Sequence, residues 1–142
     1  MRENSCGDSD QARLMNDSPP LQYWDSPLFI SFLTKQLPDR VETVKQLIRD
    51  ARSNPPKVSV VASQFVRAEV IPHPRDDPGQ TKIIEEFFLA AKSIVRFVDV
   101  DRRVADRARL LVATYGSEGL TVPDAIHLAT AIVSGAQMYF TY

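Results

Sequence analysis

From residue 21 to residue 142 the chain alternates short apolar runs with longer stretches in which apolar positions recur every three or four residues. The short runs are Leu21-Gln22-Tyr23-Trp24-Asp25, Lys57-Val58-Ser59-Val60-Val61, Ile94 to Val100 and Met138 to Tyr142. β-Branched and aromatic residues fill them, and each reads as a strand. The longer stretches read as helices. Asp25-Ser26-Pro27 opens the first, a capping side chain followed by a first-turn proline, with Phe29, Ile30, Phe32 and Leu33 as its apolar face. Asp39, with Glu42 three residues on, has the form of a capping box. It opens a second helix with Val41, Val44, Leu47, Ile48 and Ala51 inward, stopped by Pro55-Pro56. Residues 62–70 read as a short helix ending near Glu69, and 71–80, rich in proline, as loop. Residues 81–93 form a helix facing inward with Ile83, Ile84, Phe87, Phe88 and Ala91. Residues 101–115 are amphipathic, with Val104, Ala108, Leu111, Val112 and Tyr115 inward and Gly116 as the expected C-cap. Thr121 caps a last helix, Val122–Ser134, which Gly135 ends.

Alternation of this kind predicts an α/β fold, a parallel sheet covered by helices on both faces. A length of 142 residues with 44% apolar positions fits one domain with one solid core. Five glycines are too few for the many tight turns of an all-β sandwich. Seventeen basic against eighteen acidic residues exclude a strongly basic nucleic-acid binder, but not an enzyme with a local basic patch. A single cysteine, Cys6, permits no internal disulfide, and no window approaches the roughly 18 uncharged apolar residues of a membrane span. Residues 1–20 lack a signal-peptide core, so a cytoplasmic home is expected. They are mostly polar and read as a disordered tail, with Met15 as a candidate translation start, ahead of a domain over 21–142.

In an open parallel sheet, ligands bind beyond the carboxyl ends of the strands. Asp25 ends the first strand, Glu69 closes the helix after the second, and Asp124 lies in the first turn of the helix before the last. Three such carboxylates at one edge would offer oxygen donors suited to Mg²⁺ or Mn²⁺, which pair with phosphates and activate water for in-line attack. Each acid has another reading: Asp25 as a helix cap, Asp124 as a partner of the helix dipole after Thr121, Glu69 as a solvated charge. His127, one turn after Asp124, reads either as a partly buried structural histidine or as a group assisting a metal-bound water. His73 belongs to the loop. Asp101 reads as a cap, although it or Asp99 could approach the acids. Arg102, Arg103, Arg107 and Arg109 read as a solvated face, and Tyr23 and Trp24 as core.

Tyr23-Trp24-Asp25-Ser26, the Glu69 within ASQFVRAEV and, above all, Val122-Pro123-Asp124-Ala125-Ile126-His127-Leu128-Ala129-Thr130-Ala131-Ile132 resemble the PIN-domain nucleases. The likeness is strongest to VapC-like toxin ribonucleases of type II toxin–antitoxin pairs, and it covers residues 21–142. The resemblance implies a three-layer α/β/α sandwich whose sheet edge holds Mg²⁺ or Mn²⁺. Asp25, Glu69 and Asp124 match the family's first three acids as catalytic and metal-holding residues, and Ser26 matches its hydroxyl position beside the first acid. It implies an RNA substrate, a cognate antitoxin that blocks the groove, and a homodimer or toxin–antitoxin hetero-oligomer. Ala125, Leu128, Ala129 and Ile132 would give the Asp124 helix a smooth face for close packing. The family places a fourth acid just past a hydroxyl-bearing residue on the next strand. Here Thr141 holds the hydroxyl position and Tyr142 follows. A truncated or decayed site is therefore expected, without the last edge strand and with Met138–Tyr142 left as an open edge. The competing reading is a catalytically degenerate PIN-like module that only binds an antitoxin or RNA. A phosphoacceptor receiver-like domain would need a lysine near the last strand, and Met138–Tyr142 has none.

Overall fold

Four strands, all parallel, lie in the order β3-β2-β1-β4 in a computed structural model that describes residues 18–35, 37–72 and 79–142. They are β1 (Leu21–Trp24), β2 (Ser59–Ser63), β3 (Val95–Val98) and β4 (Met138–Phe140). Cys6, Met15, His73 and nearly all of the expected N-terminal tail lie outside the described residues. Parallel neighbours need crossover connections, and helices supply them. These are α1 (Ser26–Thr34), α2 (Pro38–Arg52), α3 (Val66–Glu69), α4 (Gly79–Ala91), α5 (Arg102–Tyr115) and α6 (Val122–Ser134).

The pleat divides the sheet's side chains between two helical layers. Trp24, Val60, Ala62 and Val95 point to one side and pack with Leu28 and Phe29 of α1, Val44 of α2 and Phe88 of α4. Phe29 stands 6.1–6.3 Å, centroid to centroid, from Phe87, Phe88 and Phe97, within the range of favourable aromatic pairing. Tyr23 and Val61 point to the other side against Ala131 of α6. There α5 and α6 meet along Val104, Ala108, Ala125 and Ala129, all buried, and the alanines allow the helices to approach closely. The result is the expected α/β/α sandwich. No helix among the described residues is long and apolar enough to cross a membrane.

Several boundaries differ from the sequence reading. The second strand begins two residues late, where the Ser59 amide reaches the Pro20 carbonyl (3.0 Å), while the Lys57 amide turns back to Asp50 (3.1 Å). It then runs on through Ala62 and Ser63, which pair with Phe97 and Val98 of β3. Buried backbone groups need partners, and the neighbouring strand supplies them here, so the expected helix over 62–70 shrinks to Val66–Glu69. The expected capping box of Asp39 and Glu42 does not form. Pro38 occupies the first turn with Leu37 at the cap position, and Glu42 pairs instead with Arg49 (2.9 Å) and Lys45 (3.8 Å). Ile83, Tyr115 and Ile132, read as inward, are 57%, 47% and 45% exposed. Gly116 does cap α5, its amide bonding to Val112, but with right-handed backbone, and the chain continues into a 3₁₀ turn whose left-handed residue is Gly119 (φ 98°).

Candidate active site

The carboxyl ends of β1 and β2 face each other at the centre of the sheet, and the first side chains beyond them form one hydrogen-bonded network. Asp25 follows β1 directly. Its backbone is extended, its Oδ1 accepts the Ser26 amide at 2.8 Å, and it thereby caps α1. Its amide extends the β1–β4 ladder to the Phe140 carbonyl (3.0 Å), and its Oδ2 accepts the Thr141 hydroxyl (2.8 Å). Capping, sheet pairing and Thr141 together fix where this carboxylate sits. Ser26, buried at the first position of α1, donates its hydroxyl to Glu69 Oε2 in a short hydrogen bond.

Glu69 arrives from the end of α3, and the same Oε2 lies 2.6 Å from His127 Nε2. His127 is one turn into α6, only 2% exposed, with Phe65 at 5.6 Å against its ring. Its Nε2 also faces Ser26 Oγ at 3.1 Å and Asp25 Oδ1 at 3.6 Å. On its other side, Nδ1 lies 2.6 Å from the hydroxyl of Tyr23, which accepts the Ser63 amide at 3.2 Å. Burial raises the Tyr23 pKa well above its ordinary value, the charges of Asp25 and Glu69 add to this, and the Ser63 amide opposes it. Tyr139 stacks on Tyr23 at 5.0 Å, and burial, then the charge of Asp25, raises its pKa as well. Both phenols therefore keep their protons.

The hydrogen bonds of Asp124 lie outside this network, although its charge, after burial and the charge of Asp25, adds to the raised Tyr139 pKa. Asp124 completes the capping box of α6, its Oδ2 accepting the Thr121 hydroxyl (2.5 Å) and amide (3.4 Å), while its own amide donates to the Thr121 hydroxyl (3.3 Å). Two of the three predicted acids are thus brought together, with Ser26 and Thr141 beside them, and the third is held one turn away from His127 by its helix cap. Asp101 caps α5 through the Val104 amide (3.0 Å). Arg102, Arg103 and Arg109 pair with Asp101 or Asp106 on an exposed face. Sequence reading placed Tyr23 in the core and gave Tyr139 no role beyond its strand, because nothing local marks a tyrosine as the far end of a site. For His127 the one available signal was its place one turn after Asp124.

Among the described residues, no three of the His, Cys, Asp and Glu side chains form a ready cage for a metal ion. Mg²⁺ and Mn²⁺ do not require one. Mg²⁺ keeps several waters and is commonly held through one or two carboxylates plus substrate phosphates. Asp25 and Glu69, 15% and 28% exposed, fit that demand in kind: hard oxygen donors at an accessible edge, with hydroxyls beside them.

The PIN domain model matches residues 23–142. Among solved structures, a chain of VapBC2 from Rickettsia felis, bound to a DNA fragment from its promoter, matches 86% of this chain and 88% of its own length. That match has a TM-score of 0.59 and 16% identity. A chain of a toxin–antitoxin complex from Klebsiella pneumoniae matches with a TM-score of 0.56 and 21% identity, covering 82% of each chain. No curated protein matches. With the family model spanning residues 23–142, which hold the end of β1, all of β2, β3 and β4 and both acids of the network, the chain belongs to the PIN domain family.

Proposed function

We propose that this chain is a metal-dependent endoribonuclease, the VapC-like toxin of a cytoplasmic toxin–antitoxin pair. The observation that carries the reading is the convergence of Asp25 and Glu69, from two separate crossover connections, at the carboxyl edge of a PIN-family sheet. In the proposal Asp25 and Glu69 hold Mg²⁺ or Mn²⁺, Asp124 joins them from the start of α6, and Ser26 and Thr141 steady the carboxylates. A cation held there supplies an acidified water and a clamp on the phosphate oxygens of RNA. The chain's own part is to orient the acids, and the cap on α1 does this for Asp25 before any ligand arrives. An antitoxin partner is supported by the toxin–antitoxin complexes among the structural neighbours. An apolar cleft of about 390 Å³ between α1, α2 and α4, lined by Phe29, Phe32 and Phe87 and rimmed by Lys45, Arg49 and Arg52, suits an amphipathic acidic segment of such a partner.

The test is cleavage of RNA by the purified chain with Mg²⁺ or Mn²⁺. Activity is expected to stop with EDTA and to be lost in Asp25→Asn and Asp124→Asn, with circular dichroism unchanged. Undiminished cleavage in either variant removes the assignment. Light scattering of the chain alone and with its antitoxin distinguishes a homodimer from a hetero-oligomer.

One observation favours a second reading, a PIN-like module that binds an antitoxin or RNA without chemistry. The Asp124 carboxylate is committed to Thr121 rather than to Asp25 and Glu69. Tight RNA binding that neither needs Mn²⁺ nor leads to cleavage would establish that reading.

A further inference from the structure

We infer that His127 is a positioning residue, locked as its Nε2–H tautomer by Tyr23 and Ser63 so that it holds Glu69 toward Asp25. The inference of a role toward metal rests on the reading of Glu69 as a metal-holding residue; the tautomer stands on hydrogen bonding alone. The Ser63 amide can only donate, so at 3.2 Å the Tyr23 oxygen is its acceptor. The hydrogen of the Tyr23 hydroxyl then needs an acceptor of its own, and His127 Nδ1 lies 2.6 Å away. Nδ1 is therefore the bare nitrogen, and the ring proton sits on Nε2.

The other side of the ring leads to the same assignment independently. Nε2 faces Glu69 Oε2 at 2.6 Å and Asp25 Oδ1 at 3.6 Å. Ser26 Oγ at 3.1 Å has its own hydrogen directed to Glu69, so it too presents a lone pair to the ring. A bare Nε2 would set lone pairs against a carboxylate at hydrogen-bond distance. With the proton there, every member is satisfied: amide to phenol, phenol to imidazole, imidazole and serine to carboxylate. The described residues leave no buried side-chain nitrogen or oxygen without a partner. A relay that begins at a sheet amide is rigid at its origin, and partners of this kind fix the direction of a carboxylate in metal sites. Removing such partners typically costs about 10–100-fold in metal affinity.

The test separates the two ends of the ring. In His127→Gln the side-chain amide reaches toward the Nε2 position and keeps a donor for Glu69. In His127→Asn it mimics the Nδ1 position and loses that reach. Mn²⁺ affinity is expected to stay within about 3-fold of wild type in His127→Gln and to fall by about 10–100-fold in His127→Asn, with melting temperatures measured for both. Long-range ¹H–¹⁵N spectra of the metal-free protein are expected to show a protonated Nε2 and an unprotonated Nδ1 for His127. Loss of affinity by the same factor in both variants, tracking their melting temperatures, overturns the positioning role. So does a spectrum with the proton on Nδ1. Wild-type protein that shows the Nε2–H tautomer but neither binds Mn²⁺ nor cuts RNA removes the nuclease reading instead and leaves the lock in place.

Discussion

Asp25, Asp101 and Asp124 all stand at the start of a helix, and the group facing the second carboxylate oxygen decides what each does beyond that. In Asp101 one oxygen takes the Val104 amide and the other the Arg103 guanidinium. The amide first, and then the guanidinium, hold its pKa below the usual carboxylate range. A folded-state pKa below the unfolded one gives stability that is present above the unfolded value and lost as pH falls through the folded one. Asp101→Ala is therefore expected to melt below wild type at neutral pH, with the gap closing below about pH 4. A gap that stays constant across that range would mean that the cap acts without its charge. Asp25 differs because its second oxygen takes the Thr141 hydroxyl from another strand, which ties a local cap to the sheet edge. Caps lie within three residues of their partners, and Asp25, Asp101 and Thr121 behave as read, whereas Asp39 does not because Pro38 already opens its helix. The partners of His127 come from β1, α1 and α3, and no local spacing encodes those meetings.

Among the elements, α6 has the most complete start and stop. A capping box opens it, and Gly135 closes it at φ 73°, with its amide donating to Ala131 and Ile132. Thr121→Ala removes one half of the box and is expected to cost ~1 kcal/mol, read from urea midpoints. The same substitution frees the Asp124 carboxylate from its hydroxyl partner, so Mn²⁺ affinity is expected to hold or rise while stability falls. A parallel loss of both would show that the box itself aims Asp124. Gly135→Ala forces a side chain into the left-handed region and is expected to cost about 1–2 kcal/mol with no effect on metal. The helix face of α2 was legible from its period, whereas the limits of β2 were not. Ala62 and Ser63 carry little strand preference of their own, and only pairing with Phe97 and Val98 makes them strand.

For the whole molecule, two helical layers on one sheet place the largest apolar cluster far from the acids in chemistry though not in sequence: Trp24 and Asp25 are neighbours, one in the core and one in the site. Phe88 is 2% exposed and meets both Phe29 and Phe97, so Phe88→Ala is expected to destabilise by about 3–5 kcal/mol, enough to threaten folding. A ligand that binds only the folded chain stabilises it by mass action. Mn²⁺ at 100 times its dissociation constant is expected to add about 2.7 kcal/mol, visible as a raised melting temperature that EDTA reverses and Asp25→Asn lacks. Absence of any such shift in wild type would count against the metal. The fold class and the layering were legible because strand and helix periods alternate cleanly; the strand order β3-β2-β1-β4 was not, since the pattern does not say which strands become neighbours.

That order joins the first strand to the last. The amide of Asp25 is held by Phe140, and its carboxylate by Thr141, 116 residues downstream. Closing so long a loop is slow and is rewarded only when the final strand docks. During synthesis the chain can pack α1, α2 and the β1–β2 pair while Asp25 still lacks its outer partner. Asp25 therefore gains its outer partners only once β4 has been made and docked, so the setting of this carboxylate depends on a segment distant in the chain.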